Sequence, residues 1–121
     1  MRIRCHLQIV ALAIFLCPAP ALVAEEAYVS LSKEQKIAVF DIDEATGKLS
    51  LFAQWETPGQ PGAMAFNQSG DRLYVAMKSK GGIATFEIGD GGESRMLGTV
   101  AMDGSAGFLH VHPSGKFLFC S

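Results

Sequence analysis

Ala27–Ile42 reads AYVSLSKEQKIAVFDI and Leu73–Ile88 reads LYVAMKSKGGIATFEI; the second stretch overlies the first without a gap, 46 positions later. Six of the sixteen positions are identical: Tyr28/Tyr74, Val29/Val75, Ile37/Ile83, Ala38/Ala84, Phe40/Phe86 and Ile42/Ile88. A second pairing sets Gly59–Ala76 (GQPGAMAFNQSGDRLYVA) against Gly104–Ser121 (GSAGFLHVHPSGKFLFCS) at an offset of 45. There Gly59/Gly104, Gly62/Gly107, Ser69/Ser114, Gly70/Gly115 and Leu73/Leu118 match. A unit of about 45 residues therefore recurs, and short apolar runs separated by glycine-containing turns make it a β unit.

Working outward from the repeat, strand and turn signals alternate along the chain. Ala27–Ser32 reads as a strand and Lys33–Lys36 as a polar turn. Ile37–Asp43 alternates, with Ile37, Val39, Asp41 and Asp43 on one face and Ala38, Phe40 and Ile42 on the other. Glu44–Gly47 is a turn and Lys48–Trp55 a strand, so Ile37–Trp55 predicts a hairpin. Glu56–Gly62 is a loop holding two prolines and two glycines. Ala63–Phe66 and Arg72–Met77 are strands about the turn Asn67–Asp71, and the cycle restarts at the turn Lys78–Gly82. Ile83–Ile88, Arg95–Met102, Leu109–Val111 and Phe117–Cys120 are the later strands, divided by Gly89–Ser94, by Asp103–Gly107 and by the turn at Ser114-Gly115. The fold class is all-β: β-propeller blades of four antiparallel strands, of which the chain holds about two. The smallest closed ring has four blades and needs roughly 180 residues at this period. Phe117–Ser121 stands where Arg72–Ala76 forms a strand one unit earlier, so the sequence ends inside a strand. The expectation is that 25–121 is the N-terminal part of a longer propeller domain.

The first residues read differently. Arg2 and Arg4 precede an apolar run from Leu7 to Cys17 interrupted only by Gln8, and Ala19-Pro20-Ala21 is a small-residue cleavage pattern. Residues 1–24 thus read as a secretory signal peptide, cleaved after Ala21 or after Ala24, and the protein is expected to be exported, periplasmic or secreted. An eleven-residue apolar run is too short to cross a bilayer. The remainder carries eight Lys/Arg against twelve Asp/Glu, a net charge of −4 with no basic cluster. That balance argues against nucleic acid and, after cleavage, against a membrane as partners. Cys5 and Cys17 leave with the signal, so Cys120 has no disulfide partner in the rest of the chain.

Several of these stretches together resemble a known family. Asp41–Leu49 (DIDEATGKL), Thr57–Pro61 (TPGQP), Gln68–Ala76 (QSGDRLYVA) and Gly81–Phe86 (GGIATF) are similar to the lactonase-type seven-bladed β-propellers. That family includes propeller-type 6-phosphogluconolactonases and carboxymuconate-cyclase-like proteins. The resemblance covers residues 27–121 and implies a fold of seven blades and hydrolysis of a lactone ring. It also implies a histidine at the mouth of the central channel, within a Pro-Cys-His-Val-x-Val-Asp-Pro-Ser-Gly pattern. Anchored on Pro113-Ser114-Gly115, that pattern places Ala106, Gly107 and Phe108 where Pro-Cys-His stands, so Phe108 replaces the channel histidine. Moving His110 there would need a two-residue slip of a strand against its turn.

Candidate chemistry outside the resemblance is sparse. His110 and His112 alternate on one strand, which is metal-ligand spacing, but a third histidine is lacking after His6, and His112 equally suits a turn position. Asp41, Asp43 and Glu44 have the look of a calcium loop; the next ligand position falls on Ala45 and the glycine arrives late at Gly47, so capping of the turn is the better reading. Gly81-Gly82 and Gly89–Gly92 lie in turns with no following helix to hold a phosphate. Ser30, Ser32 and Ser69 have no neighbouring base in sequence, and Phe52, Trp55 and Phe66 read as core. No catalytic residue, cofactor or metal is assigned from the sequence. Two functions follow: an exported lactone hydrolase with a small-molecule substrate, or a non-catalytic secreted propeller that binds a small molecule, a glycan or a protein.

Overall fold

The computed structural model describes residues 25–79 and 81–121. The signal-peptide reading falls on residues outside that range. Strands run β1 (Glu25–Leu31), β2 (Lys36–Ile42), β3 (Leu49–Glu56), β4 (Pro61–Phe66), β5 (Arg72–Met77), β6 (Ile83–Ile88), β7 (Ser94–Val100), β8 (Leu109–Val111) and β9 (Leu118–Cys120). They form three antiparallel sheets in the orders β1-β2-β3, β4-β5-β6-β7 and β8-β9. The sequence overlay places β1–β3 on β5–β7 and β8–β9 on β4–β5. The middle sheet is thus a whole blade with β4 innermost. Among the described residues the first sheet has only the outer three strands of its unit and the third only the inner two.

Period-2 alternation in the middle sheet buries both of its faces. Leu73, Val75 and Met77 of β5, with Ala84 and Phe86 of β6, pack against Ile37, Val39 and Trp55 of the first sheet. Ala76 and Ile83 face the other way, joining Ala106 and Leu109 next to the third sheet. Leu73, Val75 and Ala76 are fully enclosed. Central strands that read as nearly continuous apolar runs are what a sheet covered on both faces requires.

The repeat extends to a defect. The β2–β3 register shifts between Val39 and Phe40, and the β6–β7 register shifts between Thr85 and Phe86, the positions that overlie them. Phe52 and Leu97 are the extra residues on the outer strands, as the pairs Val39↔Ala53, Phe40↔Leu51 and Thr85↔Gly98, Phe86↔Met96 show. Such a bulge bends the strand and increases its twist. It also redirects Phe52, whose ring lies over Gly92 in the next blade while 43% of its surface remains open. The core reading holds for Trp55, 5% exposed, and is corrected for Phe52 and for Phe66, 41% exposed. Phe66 ends an inner strand and covers only the edge of Tyr28, with ring centroids 4.9 Å apart.

Turn chemistry follows the sequence closely. The first polar turn is one 3-10 turn, Ser32–Glu34, closed by Gln35 in the left-handed region (φ 55°). Its counterpart in the next unit is Gly81 (φ 59°), where a Cβ would lie 2.7 Å from the carbonyl oxygens of Met102 and Gly104. The same backbone conformation is therefore open to a side chain in the first unit and restricted to glycine in the second.

Candidate functional site

One end of the sheets gathers the segments that connect blades. Residues 57–60 lead into β4, 101–108 lead into β8, and the β1–β2 and β5–β6 turns lie beside them. The first linker is tied to both turns. Thr57 N–H donates to Gln35 O at 3.0 Å, and Lys78 N–H donates to Gln60 O at 2.8 Å. Ser32 Oγ donates to the Pro61 carbonyl, and Gln60 N–H donates to Ser79 Oγ at 3.1 Å. Thr57 is buried and satisfies its hydroxyl on Gly59 O at 2.7 Å. Pro58 within the linker and Pro61 at the head of β4 fix the backbone where the chain crosses from one sheet to the next. Beside it an apolar cleft of about 180 Å³ runs from Pro58 and Met77 to Gly81, Gly82 and Val100. Among the described residues no charged side chain lines it.

Phe108 stands at this end, immediately before the inner strand β8. Its N–H donates to Ser121 O at 3.1 Å and its carbonyl accepts from Ser121 N–H at 3.2 Å, extending the β8–β9 ladder by one pair. Register places His110 opposite Phe119 and Leu109 opposite Cys120. Leu109 and Leu118 face the middle sheet. Phe108 and His110 face away from it, 6.5 Å apart with their rings 9° from parallel. The Pro113-Ser114-Gly115 turn closes this hairpin, with Gly115 N–H donating to His112 O at 2.8 Å. Phe108 is 60% exposed and offers an apolar ring, with no group that could donate or accept a proton.

His112 lies at the opposite end of the hairpin, and its ring is committed to the turn. Ser114 N–H donates to its Nδ1 at 3.1 Å, and Ser114 Oγ approaches the same nitrogen at 2.8 Å. Lys116 N–H in turn approaches Ser114 Oγ at 3.4 Å. His112 thereby fills the turn place of Asn67 one unit earlier, whose Nδ2–H donates to Ser69 Oγ at 3.0 Å. A serine–histidine contact was not anticipated from sequence, because the two residues are neighbours within a turn. The nitrogen facing the hydroxyl already accepts from a backbone amide, and this is the geometry of a cap rather than of an activated nucleophile.

The remaining sequence candidates also resolve into turn chemistry. Asp43 Oδ1 accepts from Ala45 N–H at 2.9 Å and from Thr46 N–H at 3.2 Å, while Gly47 N–H donates to Asp43 O at 2.6 Å. That is the capping role read from the sequence. Gly89–Gly92 forms the β6–β7 turn, with Gly89 N–H donating to Glu93 O at 2.9 Å. The Gly92 carbonyl accepts from Trp55 Nε1–H at 2.8 Å across the seam between the first two sheets. Ser69 Oγ and Asn67 Nδ2 both approach Asp71 Oδ1 at 2.6 Å, and these hydrogen bonds hold its carboxyl below the usual range. Tyr28 has its hydroxyl pushed up, first by burial and then by the hydrogen bond it donates to Glu26 Oε2 at 2.5 Å. Among the described residues no three His, Cys, Asp or Glu side chains converge as metal ligands would.

Comparison with known proteins places this arrangement. The model of the family described as "Lactonase, 7-bladed beta-propeller" matches residues 26–121. The chain belongs to that family. It is 33% identical over 92 residues to 6-phosphogluconolactonases of Yersinia pestis and Yersinia enterocolitica, an alignment covering 76% of this chain and 27% of the relatives. The chain thus spans about a quarter of the length of those relatives. Among solved structures, a Lactobacillus plantarum protein superposes with a TM-score of 0.72 at 17% identity, covering 78% of this chain and 30% of that one. The periplasmic gluconolactonase of Pseudomonas aeruginosa superposes with a TM-score of 0.69 at 19% identity, covering 78% and 29%. At such identities the superpositions establish the fold.

Proposed function

We propose that this chain forms the first units of an exported propeller that opens a sugar lactone ring by hydrolysis. The observation that carries the proposal is the family match across nearly all described residues, joined to 33% identity with 6-phosphogluconolactonases. Lactone hydrolysis needs a polarised carbonyl and an activated water. The described residues contribute the scaffold for such a site: two inner strands, the linkers at their leading ends and the apolar ring of Phe108. The groups that would polarise and protonate come from further blades of the ring.

The proposed compartment selects the proposed substrate. Arg2, Arg4, the apolar run Leu7–Cys17 and Ala19-Pro20-Ala21 support export. A phosphorylated sugar lactone is a cytosolic metabolite, so an unphosphorylated aldonolactone suits an exported enzyme. The test is ring opening of glucono-δ-lactone and of its 6-phosphate by the complete gene product, with cell fractionation alongside. Faster opening of the unphosphorylated ring by protein in the exported fraction is the expected result. Opening of neither ring above the spontaneous rate overturns the hydrolase reading.

Phe108 favours a second reading, a secreted propeller that binds a sugar or lactone without turning it over. Calorimetry separates the two: saturable binding without accelerated ring opening establishes the second. Restoring a proton-carrying group with Phe108→His is expected to raise kcat/KM in the hydrolase if the Phe108 position faces the reacting ring. An unchanged kcat/KM places the chemistry elsewhere in the channel.

A further inference from the structure

We draw no further inference here: the strongest candidate, the exposed aromatic face of the β8–β9 hairpin formed by Phe108, His110, Phe117 and Phe119, is the side on which one blade packs against the next, so it restates the known ring architecture of the family.

Discussion

The β4–β7 sheet is flanked on both faces, and its two seams differ in kind. Against β1–β3 it buries Leu73, Val75, Met77, Ala84 and Phe86 under Ile37, Val39 and Trp55. The aromatic rings there interlock, Trp55 with Phe86 at 6.1 Å and with Tyr28 at 5.5 Å. A hydrogen bond from the indole to Gly92 O closes the outer part of the seam. Against β8–β9 the same sheet buries Ala76 and Ile83 under Ala106 and Leu109, with Tyr74, Met102 and Leu118 half-buried around them. Among the described residues, Val100 of the outer strand pairs with Ile83 and is 66% exposed, beyond the edge of the two-stranded hairpin. Among the described residues, the seam that meets three strands of the neighbouring sheet is the thicker, and the one that meets two is the thinner.

The largest test of this contrast is a pair of leucine truncations. Leu73 is fully enclosed in the first seam, and Leu109 is 5% exposed in the second. Leu73→Ala is expected to cost toward the upper part of the ~2–5 kcal/mol range for buried leucines, since its cavity is walled by two sheets. Leu109→Ala should fall toward the lower part, because the loop residues around it can collapse into the space. Urea titration followed by the fluorescence of Trp55, the sole tryptophan, measures both. An equal or larger loss for Leu109→Ala would reverse the ranking of the seams.

Gly92 sharpens the contrast at the next level. Its φ is +75°, and a Cβ there would lie 2.2 Å from Cε1 of Phe52. Gly70 shares the same φ of +75° with open space around it. Gly70→Ala should therefore cost about 1–2 kcal/mol, the strain of a left-handed alanine alone. Gly92→Ala adds displacement of the Phe52 ring, typically another ~1–3 kcal/mol for overpacking. Adding Phe52→Ala should return most of the excess at Gly92 and none at Gly70. If the two glycine variants are equally stable, the turn does not dock on the bulge as described.

How much of this could be read in advance depends on the range of the interactions. The strands, the hairpin turns and the family were legible because alternation, Asp43, Ser69-Gly70 and Ser114-Gly115 act within a few residues. The strand reading Leu109–Val111 likewise left Phe108 immediately before a strand, where the structure has it. The bulges at Val39/Phe40 and Thr85/Phe86 were not legible, since unbroken alternation across Ile37–Asp43 gives no sign of an extra residue on the partner strand. For the same reason Phe52 passed for core, although its partner is a turn forty residues away in the next blade. The assignment of His112 to a turn position required only local reasoning, but its contact with Ser114 Oγ needed coordinates.

Trp55→Phe probes the hydrogen bond that separates the seams most cleanly. The phenyl ring keeps most of the apolar contact while the Gly92 carbonyl loses its indole donor at 2.8 Å. An unsatisfied buried acceptor costs about 1–3 kcal/mol, so the variant should be destabilised by that amount beyond its loss of packing volume. Circular dichroism during thermal melting checks it, since the fluorescent probe is gone. A melting temperature unchanged from the parent would show that water reaches the Gly92 carbonyl and that the seam is looser than the middle of the core.

The smallest effect lies outside both seams, and its sign is fixed by the turn that links β4 to β5. Asp71 is held below the usual carboxylate range by hydrogen bonds from Ser69 and then Asn67, both of which favour the charged form. A group whose folded value is depressed stabilises the fold above its unfolded pKa of about 3.9 and loses that contribution as pH falls through the lower folded value. Asp71→Asn should therefore flatten the stability profile below about pH 4 while leaving the shape of the profile near neutrality unchanged. Because Asp71 is fully exposed, the effect should shrink further in high salt, which neither seam variant should show. An acid-side slope that survives Asp71→Asn would move the titration to another carboxylate and leave the turn held by its backbone bonds, Gly70 N–H to Asn67 O at 3.2 Å and Asn67 N–H to Arg72 O at 3.1 Å.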